Sequence, residues 1–290
     1  MILYYAMGGG LGHLTRARAV LHTLRLESES VILTASRFAG DERVTGGLNV
    51  IHVPAYLAHD RAAYRAWLAD LFASLRPAAL YLDTFPAGIR GEFCDFPPLE
   101  GVPIHYLARL LKWKEYAKLL EGRLPRLEET HILEPLATEH EEFIRRHCAK
   151  QSPLRLEDPP HLLHESALSE AGRLALSTEP FWLVVHSGPV EEIMELLAYA
   201  AEMRRIERVE AQLILVAPAP PPELPKDVFY IDIYPAAALF PMAARVISAC
   251  GFNVMRQMAR HYGKHRYMPC ARRFDDQFKR AARLSDCGGR

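Results

Sequence analysis

The segment Ile2-Leu3-Tyr4-Tyr5-Ala6-Met7-Gly8-Gly9-Gly10-Leu11-Gly12-His13-Leu14-Thr15-Arg16 runs from an unbroken apolar stretch through a glycine cluster into residues of helical period. A strand buried on both faces reads as such a continuous apolar run, and a short turn into a helix is the connection that parallel α/β units use. The alternation continues outward. Strands are expected at Ile2–Ala6, Val31–Thr34, Val50–Val53, Ala79–Leu82, Ile104–Leu107 and, more weakly, His131–Leu133, with helices such as Thr15–Leu26 and Arg61–Leu75 between them. In the latter, Ala62, Trp67, Leu68, Leu71 and Leu75 gather on one face, and Asp60 is placed to cap the first turn.

A polar, proline-containing stretch from Gln151 to Pro160 reads as a linker, after which the pattern restarts. Strands are expected at Phe181–Val185, Gln212–Val216, Val228–Ile231, Val246–Ser248 and Arg266–Met268. Helices are expected at Val190–Arg205, Ala236–Ala243, Asn253–His261 and Asp276–Leu284. The prolines from Pro218 to Pro225 mark a loop, because proline lacks the donor that a central strand needs. The expected architecture is α/β, with two successive halves of similar layout built on parallel sheets, residues 1–150 and residues 151–290.

The 290 residues carry 35 Lys+Arg against 35 Asp+Glu, and half of them are hydrophobic. Such a balance disfavours a nucleic-acid partner, which a basic excess usually announces. No apolar run approaches the ~20 residues of a membrane span. Met1 to Met7 carry no basic flank or cleavage signature of a signal peptide. The five cysteines are scattered without a Cys-x-x-Cys or Cys/His ligand pattern, so a cytoplasmic location is expected and no metal site is assigned. His52, His59, His105, His131, His140 and His147 read as surface or packing residues. The run His161-Leu162-Leu163-His164 reads as linker packing. Lys112, Lys114 and Lys118 beside Trp113 and Tyr116 form either a solvated helix face or a surface for peripheral membrane contact.

The glycine segment is neither the dinucleotide fingerprint, which needs a glycine where His13 stands, nor a P-loop, which needs Gly-Lys-Ser/Thr. Gly9, Gly10 and Gly12 let the backbone approach a polar, oxygen-rich group at a helix start. His13 then sits at the carboxyl edge of a parallel sheet, where open α/β folds hold ligands, and is a candidate base for a hydroxyl proton. Asp83, after Ala79–Leu82, reaches the same edge and is a candidate to orient the His13 ring. The plainer alternatives are local capping by His13 and loop-binding by Asp83.

A second segment, Val246-Ile247-Ser248-Ala249-Cys250-Gly251-Phe252-Asn253-Val254-Met255-Arg256-Gln257, also leads from a strand through glycine to a helix, and Asp276-Gln277 opens the next one. Amides near Gly251 suit a diphosphate, while Gln257, Asp276 and Gln277 suit ribose and sugar hydroxyls.

With these two segments the chain resembles the GT-B glycosyltransferases, especially the family 1 and family 28 branches. The resemblance rests on Gly8 to His13, on Phe229 to Ala244, on Ser248 to Gln257, on Pro269 and on Asp276-Gln277. It implies the GT-B fold, two Rossmann-like domains with parallel sheets facing a central cleft, in which a nucleotide-diphosphate sugar, such as a UDP-sugar, is held by the C-terminal domain and an acceptor by the N-terminal one. His13 then corresponds to the acceptor base, and Ser187 and Gly188 to the loop after the donor domain's first strand. Gly251, Asn253 and Gln257 correspond to the diphosphate and ribose region, and Asp276 and Gln277 to the donor-sugar pair. The ribose position is often glutamate in that family and is Gln257 here. The chain ends at Cys287-Gly288-Gly289-Arg290, leaving little room for the family's crossing helix.

The expected function is hexosyltransferase-like, an inverting transfer to a hydroxyl of a small molecule, glycan or lipid-linked acceptor with no cofactor required. The alternatives are a nucleotide-sugar hydrolase, for which Gly10 to Arg16 resembles a Gly-x-Gly-His-x-x-Arg stretch, an epimerase, and an inactive nucleotide-sugar-binding protein.

Overall fold

Each apolar run expected from the sequence forms a strand in the computed structural model, which describes residues 1–160, 177 and 180–288. One unit comprises Met1–Pro159 with Arg273–Asp276, the other Pro160–Arg272 with Gln277–Arg290. The first holds β1 (Ile2–Ala6), β2 (Ser30–Thr34), β3 (Asn49–His52), β4 (Ala79–Asp83), β5 (Ile104–Ala108), β6 (Leu127–Ile132) and β7 (Cys148–Pro153). They form a parallel sheet in the order β3-β2-β1-β4-β5-β6-β7. Chain order runs outward to one side from β1 and to the other side from β4. The crevice at their carboxyl ends is therefore the topological switch point, where open α/β sheets bind ligands.

The helices of this unit are α1 (Leu11–Leu24), α2 (Glu42–Thr45), α3 (Arg61–Leu75), α4 (Trp113–Ala117) and α5 (Thr138–His147). Asp60 caps α3 as expected, its carboxylate accepting the Ala63 N–H at 2.9 Å. Leu68 is buried and Trp67, Leu71 and Leu75 pack against the core as expected. Tyr64, Leu68 and Phe72, at i, i+4 and i+8, are the buried positions, while Ala62 is exposed. The larger rings at 64 and 72 bury more apolar area than an alanine does. Helix α1 begins at Leu11 rather than Thr15, so Gly12 and His13 belong to its first turn.

Two further corrections concern the edge of the sheet. The stretch read as a linker from Gln151 begins inside β7, whose Lys150, Gln151, Ser152 and Pro153 pair with β6. The units part at Pro159/Pro160, not at residue 150. Polar side chains at 150–152 hid the strand because an edge strand keeps much of its surface in water. On α4 the aromatic side chains point into the core. Trp113 and Tyr116 are buried, the indole stacking on His140 at 4.1 Å and the phenol donating to Gly88 O at 2.8 Å. Lys114 and Lys118 pair with Glu139 and Glu115. Among the described residues no helix is long and apolar enough to cross a membrane. The His161-Leu162-Leu163-His164 run lies outside the described residues.

The second unit repeats the design with β8 (Phe181–Val185), β9 (Gln212–Val216), β10 (Val228–Ile231), β11 (Arg245–Ala249) and β12 (His265–Met268), all parallel, in the order β10-β9-β8-β11-β12. Its switch point lies between β8 and β11. Phe181 and Leu183 pack on one face with Ile214, Val216 and Val246, whereas Trp182 and Val184 pack on the other with Leu213, Leu215 and Ile247. Both faces of β8 are dry, which is why it shows no polar alternation. The helix Val190–Glu207 follows it, and Ala236–Ala243, expected as a helix, is one 3₁₀ turn at Ala236–Leu239. Leu183 is fully buried at the centre of this sheet, so Leu183→Ala is expected to cost about 2–5 kcal/mol in a denaturant titration, the range for a large-to-small core change.

Candidate active site

The switch point of the first sheet brings together the end of β1 and the end of β4, which pair from Ile2↔Ala79 to Tyr5↔Leu82. That register places Asp83 beside the turn that carries His13. The His13 Nδ1 lies 2.5 Å from Asp83 Oδ2. Arg16, one turn further along α1, grips the same carboxylate with Nε on Oδ1 at 2.5 Å and Nη2 on Oδ2 at 2.6 Å. The spacing of three residues puts the imidazole and the guanidinium on one side of α1. Tyr4 on β1 adds its hydroxyl to Asp83 Oδ1 at 3.4 Å.

The proton on the His13 ring follows from this arrangement. Arg16 Nη2 is 3.1 Å from His13 Nδ1, but a guanidinium only donates, and an unprotonated Nδ1 would oppose a carboxylate oxygen at 2.5 Å. Nδ1 therefore carries the hydrogen and donates it to Asp83, leaving the Nε2 lone pair as the ring's acceptor. Burial lowers the His13 pKa; Asp83 opposes that shift, and Arg16 and Arg109 add to it. The imidazole is neutral at neutral pH. For Asp83 burial alone pushes the carboxyl up, but the Arg16 charge and the hydrogen bonds donated by His13 and Arg16 outweigh it and hold the group well below the usual carboxylate range.

Asp83 is the near end of a buried polar chain. Arg16 also donates to Thr84 Oγ1 at 2.8 Å, and Arg109, just after β5, donates to the same hydroxyl at 3.0 Å and to Asp275 Oδ1 at 2.5 Å. Asp83, Thr84, Arg16 and Arg109 are all at most 7% exposed. Thr84 takes φ of 73°, a costly conformation for a β-branched residue, and its hydroxyl is held between the two guanidinium groups. The segment Arg273–Asp276 is fixed to this unit by Lys112 N–H on Phe274 O at 2.7 Å and by Phe274 packed on Phe85 and Tyr116. Thr84 and Arg109 escaped the sequence reading because they meet only through the sheet, and Asp275 because it arrives on the returning segment Arg273–Asp276; Arg16 was visible as the last residue of its motif.

The glycines separate into two kinds. A Cβ at Gly8 would overlap His13 Cδ2 and Nε2, so that glycine is the floor on which the ring lies. At Gly9 and Gly10 a Cβ would meet nothing within 4 Å, so the protein's own packing does not require glycine there.

In the second unit, Ser187 and Gly188 follow β8 and Gly251 follows β11, the two strands at its switch point. A Cβ at Gly188 would overlap His186 Nε2 and lie 3.1 Å from Glu192 Oε2. His186 meets Glu192 at 2.7 Å, and Arg272 holds both oxygens of the same carboxylate. This cluster was not foreseen, since its members come from β8, the following helix and the chain after β12. Gly251 is the N-cap of the helix Phe252–Met258, where a Cβ would find only Val254 Cγ1 at 4.0 Å. Asn253 and Gln257 are half-buried on that helix. Asp276 and Gln277 differ in setting. Asp276 is half-buried in the segment that belongs to the first unit, whereas Gln277 is 4% exposed and its Oε1 accepts the Cys270 N–H at 3.0 Å.

The His13 Nδ1–H, buried against an ionised carboxylate, is expected to give a downfield proton resonance. Asp83→Asn should move it strongly upfield, and Gly8→Ala should abolish it by displacing the ring while the far-ultraviolet circular dichroism stays unchanged.

No family model matches the sequence, and no curated protein matches it in sequence. Solved structures do match in fold. The spinosyn forosaminyltransferase SpnP is 14% identical with a TM-score of 0.62, covering 98% of this chain and 83% of that one. The spinosyn rhamnosyltransferase SpnG complexed with thymidine diphosphate is 14% identical with a TM-score of 0.58, covering 99% and 85%. MurG from Acinetobacter baumannii is 14% identical with a TM-score of 0.54, covering 99% and 83%. The two parallel sheets, of seven and five strands, are thus those of the GT-B glycosyltransferase fold.

Proposed function

We propose that the protein transfers a sugar from a nucleoside-diphosphate donor to an acceptor hydroxyl, with His13 as the base. The observation that carries this reading is the 2.5 Å contact between His13 Nδ1 and the buried Asp83, which leaves Nε2 as a neutral acceptor at a sheet switch point. In the reaction Nε2 takes the acceptor's hydroxyl proton as that oxygen bonds to the anomeric carbon. The bond from that carbon to the diphosphate oxygen breaks, with inversion. The imidazolium formed is stabilised by Asp83, whose ionised state the Arg16 pair guarantees. The donor's diphosphate is assigned to the second unit, at the turns Ser187-Gly188 and Gly251–Asn253. The room for a Cβ at Gly251 supports a glycine kept for close approach of a ligand rather than for packing. SpnG and SsfS6, both solved with thymidine diphosphate, make that diphosphate the first ligand to try beside uridine diphosphate. Of the donor-sugar pair, Asp276 keeps that assignment, with Gln277 supporting it through the Cys270 backbone.

His13→Ala is expected to lower single-turnover transfer by about 10²–10⁴, the usual contribution of a general base, while calorimetry shows diphosphate affinity unchanged. Unchanged turnover would remove His13 from the chemistry. Free sugar released without added acceptor would assign water as the nucleophile and make the protein a hydrolase.

Burial sets the pH range of this base, and the Arg16 charge adds to it. Both disfavour the imidazolium, so kcat/KM is expected to fall on the acid side with an apparent pKa below 6.5. Arg16→Gln removes a cation beside the ring, raises the His13 pKa and moves that acid limb to higher pH, as a pH–rate profile would register.

A further inference from the structure

On the first sheet, away from the crevice, parallel register aligns Tyr81 with His105, His105 with Glu129, and Glu129 with Lys150, and it sets His131 beside Ser152. Because side chains at i and i+2 of a strand share a face, Glu129 and His131 project together, and His105 stands next to them on β5. Sequence spacing did not suggest a ligand set, since Glu129-x-His131 is unremarkable until a strand 24 residues upstream is laid beside it.

Hydrogen-bond directions fix how these groups are presented. The Ser152 hydroxyl has one proton, which it donates to Glu129 Oε1 at 3.2 Å, so at 3.2 Å from His131 it accepts the Nδ1–H. His131 Nε2 therefore bears its lone pair, 4.0 Å from Glu129 Oε2. His105 Nδ1 lies 3.9 Å from the same oxygen and is buried without a hydrogen-bond partner. Its ring is held flat between Tyr81, stacked at 4.5 Å, and His131, stacked at 6.0 Å. Lys150 meets the other oxygen, Oε1, at 2.9 Å, leaving Oε2 turned toward the two imidazoles. All three ligand atoms lie within 4.8 Å of one another, too far apart for mutual hydrogen bonds. Tetrahedral zinc with bonds of about 2.0–2.1 Å needs ligand atoms about 3.3 Å apart, so on binding the two near-parallel imidazoles turn their ring planes toward a common point. A cation there would satisfy the orphaned His105 nitrogen and separate the His131 lone pair from the carboxylate.

We infer that His105 Nδ1, Glu129 Oε2 and His131 Nε2 form a binding site for a divalent ion of the zinc class. Two imidazoles and one carboxylate suit a borderline transition ion rather than calcium or magnesium, which prefer all-oxygen sites. Ser152 fixes the His131 tautomer and orients Glu129, as outer-shell partners of metal ligands do. The ion ties β5 to β6 at mid-strand and acts independently of His13.

The test is titration of chelator-stripped, tag-free full chain with Co²⁺, followed by displacement with Zn²⁺ and calorimetry. One equivalent of Co²⁺ is expected to give a visible band of four- or five-coordinate character that Zn²⁺ abolishes. His105→Phe, which preserves the stack on Tyr81, and Glu129→Gln should each weaken Zn²⁺ by at least about 100-fold, beyond the 10–100-fold typical of an outer-shell change. His161→Ala/His164→Ala should leave binding intact. Absence of stoichiometric binding, or a band that survives in folded His105→Phe and Glu129→Gln, overturns the site. Loss only in His161→Ala/His164→Ala also overturns it and moves the metal to that run.

Discussion

A single buried carboxylate organises the first unit's crevice. Asp83 is taken out of water at the end of β4, a costly move for an isolated charge, and is stabilised there by Arg16 through two hydrogen bonds. That pair leaves one oxygen within 2.5 Å of His13, so the same contact that satisfies the acid also chooses the imidazole tautomer. Thr84 and Arg109 extend the pairing to Asp275, joining three strand ends and the returning segment Arg273–Asp276 in one polar network. Charges in such a network are each satisfied by the others, so removing a member leaves another unpaired in a dry site.

Geometry places that network where it is. In a doubly wound sheet the crevice opens where chain order turns around, and β1 and β4 are the strands at that turn. Residues 13 and 83, seventy positions apart, are neighbours for this reason alone. The second sheet repeats the arrangement between β8 and β11, with glycine turns at both strand ends and the His186–Glu192–Arg272 cluster beside the first.

The α/β class, the strand cores and the His13–Asp83 pairing were legible in the sequence. Continuous apolar runs identify strands buried on both faces, and a parallel sheet sends every strand's carboxyl end to one edge. Strand β7 was not legible, because Lys150-Gln151-Ser152 sits at an edge where polarity carries no signal. On α3 the apolar spacing finds Trp67, Leu68, Leu71 and Leu75 on the packed side, but Ala62 is exposed while Tyr64 and Phe72 are buried. Arg109 and the group of His105, Glu129 and His131 depend on lateral register between strands, and Asp275 on a segment that returns from beyond β12; no local pattern encodes either. Gln277, chosen for its reach to a ligand, also accepts the Cys270 N–H through its Oε1, a contact across seven residues that no local pattern announces.

The contact of Gly8 with the His13 ring links two positions that are five residues apart. The imidazole occupies the volume in which any side chain at position 8 would stand. Among descendants of this sequence the two sites should therefore drift as a pair. A methyl group at 8 becomes tolerable only where a narrower residue has replaced the histidine, so glycine at 8 is itself a marker that the ring at 13 has been retained.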